Sequence, residues 1–173
     1  PTNEFAHLAL PRLTPDGRWL SEGMATYYQE LLRARAGLIT ADAAWATLTD
    51  GFERGARASA RATASLAESL RAGRLYQDIT RTYWVGAAVA LLADAGLRRR
   101  SGERRSLDSV IQCATRSAEL NPGRVWRTSA FLTLLDRCAG SPVFTRLTQA
   151  HVSGLGFPPV LRLLGSTSAV ARR

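Results

Sequence analysis

Between positions 80 and 97 the chain is apolar on nearly every helical face, from Trp84 through Val89 to Leu92. A helix of that kind has no polar side to turn toward water, so other helices must sheathe it. The rest of the sequence is therefore read as material laid around this one element. At 173 residues there is enough chain for one compact domain with a real core, and not for several. With 46% hydrophobic residues, few aromatics and long Ala/Leu/Arg-rich stretches, the composition favours helix over sheet, because such side chains lose little rotamer freedom in a helix. An all-α fold follows. No run resembles a strand pair, and no self-similarity of solenoid length is present.

Punctuation along the chain sets the remaining helices. A short helical pattern over residues 3–10 is stopped by Pro11, which lacks a backbone donor and clashes with the preceding turn. Pro15-Asp16-Gly17 carries strong turn chemistry. The best-defined helix runs from Arg18 or Trp19 to Ala36, with Gly37 as its stop. Thr40 caps a third that takes in Trp45, Leu48 and Phe52, and residues 54–72 read as a loosely packed helical stretch anchored by Leu66 and Leu70. Gly96 and the basic loop after it should end the buried helix. Ser106 and Asp108 open another helix running to about Leu120, broken by Asn121-Pro122-Gly123. Two shorter helices are expected over 125–138 and 142–153, a turn-rich segment over 154–159, and a disordered tail at the end. Trp19, Trp45, Trp84 and Trp126 read as packing anchors, Tyr27 and Tyr28 as core residues, and His151 as a surface histidine.

A net charge of +9 raises nucleic acid as a partner. All 23 basic residues are arginine, however, and apart from Arg98-Arg99-Arg100 and Arg104-Arg105 they are scattered, which favours a solvated basic surface. Cys113 and Cys138 are enough for one disulfide, yet both fall in helix-like patterns where small buried thiols are common, so pairing is left open. No apolar run approaches the roughly 20 residues of a membrane span. The chain has no initiator methionine, so it is read as a piece of a longer protein, any signal peptide lying upstream; compartment and oligomeric state stay undecided.

Chemistry concentrates in three places. Asn3, Glu4, Phe5, Ala6 and His7 have the register of a His-Glu-x-x-His helix, in which two residues one turn apart grip a zinc ion and the glutamate acts on its bound water. Glu4 and His7 are in register, and Asn3 stands where the first histidine would be. The second place is Trp19-Leu20-Ser21-Glu22-Gly23 followed by Tyr27-Tyr28, and the third is Tyr83-Trp84-Val85-Gly86-Ala87. Together they resemble the gluzincin zinc aminopeptidases, whose corresponding stretches read W-x-x-E-G-x-x-x-Y-Y and Y-x-K-G-A. Leu31 to Thr40, ending Arg35-Ala36-Gly37-Leu38-Ile39-Thr40, is similar to the glycyl aminopeptidase branch, as is Arg105-Ser106-Leu107-Asp108 to its R-S-L-D segment.

The resemblance implies a helical subdomain of a thermolysin-like metallopeptidase plus C-terminal helices, without the upstream β-sheet subdomain. Residues 1–100 would be the active-site half, 101–165 the helices packed on it, and 166–173 the tail. It also implies zinc as cofactor and a peptide as substrate. His7 and Glu22 would be metal ligands, with Asn3 at the place of the missing one, Glu4 the general base, and Tyr83 the group steadying the oxyanion. An amide oxygen suits hard ions, while zinc prefers imidazole, thiolate or carboxylate, so Asn3 implies weak or absent metal and little activity. Val85 replaces the lysine of the family pattern. Two other readings stand beside this one: a pseudoenzyme or helical interaction module without metal, and a basic nucleic-acid-binding helical domain.

Overall fold

The computed structural model describes residues 10–117 and 124–163. Asn3, Glu4 and His7 lie outside the described residues, as do all of the 3–10 helix but Leu10, the Asn121-Pro122-Gly123 break and the tail. What is described is all-α. A short 3-10 turn, Pro15–Gly17, leads into α1, Arg18–Arg35, with Arg33 and Arg35 in the last turn, where positive charge complements the helix dipole. Thr40 opens α2, Ala41–Ala60, its hydroxyl accepting from the Ala43 N–H at 3.1 Å. Next come α3, Leu66–Arg71, and α4, Ile79–Ser101. Three further helices follow: α5, Leu107–Thr115; α6, Thr128–Ala139; and α7, Val143–His151. Among the described residues the only bridge between extended segments is an isolated one between Leu13 and Trp126. No described helix is long and apolar enough to cross a membrane.

The helix over 80–97 is central, as its apolar character requires. α4 packs on α1 most extensively and also on α2, α7 and α5, and its Val85, Ala87, Ala88, Val89 and Ala90 are at most 1% exposed. Large side chains from the surrounding helices close over it, among them Trp19, Phe52, Leu66 and Phe144. Full burial of side chains of this size contributes about 1.5–3 kcal/mol each.

Four expectations change. The single helix over 54–72 is two: α2 ends at Ala60 and α3 starts afresh, because Ser65 and Glu68 form a reciprocal capping box, the Ser65 N–H donating to the Glu68 carboxylate at 2.8 Å and the Glu68 N–H to the Ser65 hydroxyl at 3.2 Å. Nor is α3 loose, with Leu66 and Leu70 buried. α4 does not stop near Gly96 but runs through Arg98-Arg99-Arg100 to Ser101, ending at Gly102 with φ 56°. Arg98 pairs back one turn to Asp94 at 3.0 Å, and three arginines suit the negative end of the helix. Trp45 is no packing anchor: the inward face of α2 is Ala44, Leu48, Gly51, Phe52 and Gly55, which turns its neighbour Trp45 outward at 40% exposure. His151 is half-buried, and burial lowers its pKa.

Tyr27 and Tyr28 enter the core as read, but with their hydroxyls committed. The Tyr28 hydroxyl donates to Asp108 at 2.8 Å, and the Tyr27 hydroxyl reaches Asp94 at 3.4 Å. Burial first, then these carboxylates, raise both phenols well above their ordinary range. Asp94 also accepts from the Leu107 N–H at 2.6 Å, while Asp108 pairs with Arg35 at 2.9 Å. The Ser106-Leu107-Asp108 segment is thus pinned to α1 and α4 by its first turn.

Cys113 on α5 and Cys138 on α6 are joined in a disulfide with their Cα atoms 5.8 Å apart. It closes a loop of 25 residues, and cross-linking a loop of that length removes unfolded-state entropy worth roughly 3 kcal/mol. Replacing both cysteines by serine should lower the unfolding free energy by about that amount in urea titration; an unchanged midpoint would show that the bond contributes nothing.

Candidate functional site

The site is built by the crossing of α1 and α4. Gly23 and Gly86 meet there with backbone against backbone: a methyl at Gly23 would overlap the Gly86 main chain, and one at Gly86 would run into the Trp19 carbonyl. Only glycine at both positions allows this approach. Glu22 precedes the first glycine and Tyr83 lies three residues, nearly one turn, before the second, so the same contact brings their side chains together. The Glu22 carboxylate acts on the Tyr83 phenol through both charge and a hydrogen bond. With partial burial as the largest cause and the carboxylate second, the phenol is held above its ordinary pKa, neutral and able to donate around neutral pH.

Glu22 is 9% exposed and lines a cleft of about 260 Å³ together with Leu10, Arg12, Leu13, Arg18 and Ser21. Arg18 reaches the Glu22 carboxylate at 3.1 Å from one turn earlier on α1. The arginine side chain is 53% exposed, and an ion pair so open to water is worth at most about 1 kcal/mol. It orients the carboxylate without locking it. The far wall is held by main-chain bonds: the Thr14 N–H donates to the Trp126 carbonyl at 2.9 Å, and the Trp126 N–H to the Arg12 carbonyl at 2.7 Å. Val85, standing where the family pattern has lysine, is fully buried in the core, so it offers nothing to the cleft.

Of the residues singled out from sequence, the structure brings Glu22 and Tyr83 together. Asn3, Glu4 and His7 lie outside the described residues, and among the described residues no group of three His, Cys, Asp or Glu side chains is arranged to hold a metal. Arg18 was missed; its signal was the i,i+4 spacing to Glu22, which marks a helical ion pair. The glycine pair was visible only as motif letters, because which backbone each glycine touches is a property of the packed structure.

Glu22 and Tyr83 are thus paired at the α1–α4 crossing, with the Glu22 carboxylate lining the cleft. Residues 12–88 match the family model for M61 glycyl aminopeptidase, so the resemblance read from the sequence holds over that segment. The match takes in Glu22, the two glycines and Tyr83, and it starts after His7. A search of the curated proteins found no match.

Gly86→Ala should destabilise the protein by about 1–3 kcal/mol or more, since the new methyl must push α1 off α4. Gly96→Ala, on the same helix but with nothing within 4 Å of the added carbon, should be neutral or stabilising by up to about 1 kcal/mol. Denaturant titration of the two variants checks this; equal effects would contradict the tight crossing.

Proposed function

We propose that this chain carries the active-site helices of a peptidase of the glycyl aminopeptidase type in which the metal site is impaired. The observation that carries the reading is the pairing of Tyr83 with Glu22, a carboxylate that lines a cleft, inside the segment that matches the family. In this reading a peptide lies along the cleft with its scissile carbonyl toward Tyr83, whose neutral phenol donates a hydrogen bond as negative charge develops on the carbonyl oxygen. In the same reading Glu4 is the general base, and Glu22 and His7 are the metal ligands.

The donor set does not fit a complete zinc peptidase site. Such a site needs three protein ligands and an open position. The carboxylate of Glu22 and the imidazole of His7 supply two, and the Asn3 amide is a poor third for zinc. Peptide hydrolysis by the chain as it stands is accordingly weak or absent. The Cys113–Cys138 bond fits an oxidising compartment, where disulfides persist.

Metal analysis of the purified chain after equilibration with zinc tests the reading. Well under one equivalent is expected for the chain itself. Asn3→His should raise the content toward one equivalent and bring chelator-sensitive hydrolysis of aminoacyl substrates, and adding Glu22→Gln to that variant should remove both gains. A full equivalent of zinc with turnover in the unaltered chain would overturn it.

A further inference from the structure

On a different part of the surface, where the end of α2 meets the start of α4, three arginines converge. Arg61, Arg74 and Arg81 line one cleft of about 220 Å³ together with Thr63, Gln77 and Asp78, and none of these residues borders the cleft beside Glu22. Arg81 is only 1% exposed, a rare position for a guanidinium without a full set of partners. One of its terminal nitrogens donates to the Ala64 carbonyl at 2.9 Å and the other stands 3.9 Å from the Asp78 carboxylate, while its Nε–H is buried with no acceptor. Arg61 and Arg74 are exposed and form no ion pair among the described residues. The nearby Glu68 carboxylate feels Arg74 but is occupied by the Ser65 cap. Three positive charges therefore face one negative charge in the lining.

The start of α4 adds to this. Asp78, which lines the cleft, is its N-cap and makes no side-chain capping bond, so the N-terminus of a 23-residue helix, with its partial positive charge, borders the same cleft. A surplus of two positive charges, forked guanidinium donors and a helix N-terminus match a tetrahedral dianion better than a single carboxylate.

We propose that the cleft bounded by Arg61, Arg74 and Arg81 binds a phosphate group. Two sources share that chemistry, free inorganic phosphate and a phosphate monoester, and the cleft is open enough to admit either.

Titration calorimetry of the full chain at constant ionic strength, with inorganic phosphate in one arm and phenyl phosphate in the other, tests the site. Binding at one equivalent is expected in at least one arm. Tighter binding of the ion identifies free phosphate as the ligand, and tighter binding of the ester identifies a monoester. Arg61→Gln and Arg74→Gln, both at exposed positions that leave the fold intact, should each weaken binding about tenfold, the loss of one charged hydrogen bond. Arg81→Gln is read only if its circular dichroism matches that of the parent, and it should then abolish binding. Absence of binding in both arms, or an unchanged affinity in the Arg61→Gln/Arg74→Gln double variant, overturns the proposal.

Discussion

The contact on which this structure depends is the one between Gly23 and Gly86. Two helices whose axes approach with ordinary side chains between them would leave Glu22 and Tyr83 separated by the thickness of that layer. With both layers reduced to hydrogen, the backbones touch, and residues flanking the contact are forced within hydrogen-bonding range. The same crossing lets Trp19, Met24 and Tyr27 of α1 close over the apolar middle of α4. Core and candidate site are thus consequences of one packing decision.

A second notch of the same kind holds the other side of α4. Trp84 lies against Gly51 and Gly55 of α2, where a methyl at either position would overlap its side chain, and Phe52 meets the indole edge-on with ring centroids 5.8 Å apart. Trp84 is the neighbour of Tyr83, so seating the indole in α2 fixes the rotation of α4 and, with it, the direction in which the phenol points. The polar ties of α5 work from the far end of α4: Asp94 holds the Leu107 N–H, and Asp108 holds Tyr28 and Arg35. A buried helix with so little amphipathic character has no hydrophobic stripe to set its rotation, and these directional contacts supply what the apolar pattern does not.

The helical class, the central place of residues 80–97 and the limits of α1 were legible in the sequence, because periodicity, capping residues and Gly37 all act locally. The division of 54–72 was legible in principle, since Ser65 and Glu68 have capping-box spacing, but the Ala-rich stretch masked it. The extension of α4 through Arg100 was not, because runs of arginine suit a solvated loop and a helix C-terminus equally well. For the site, Glu22 and Tyr83 were found through their motifs, whereas their contact rests on a glycine pair 63 positions apart whose meeting no local signal encodes. Disulfide pairing was undetermined for the same reason: two cysteines state a possibility, and the distance between α5 and α6 decides it.

The direct test of the account is a double-mutant cycle between Glu22 and Tyr83, using Glu22→Gln, Tyr83→Phe and the double variant in denaturant titrations. A partly buried hydrogen bond to a carboxylate across the α1–α4 crossing predicts a coupling free energy of about 1 kcal/mol. Additivity, with the two single losses summing to that of the double variant, would contradict it and with it the site built on the glycine crossing.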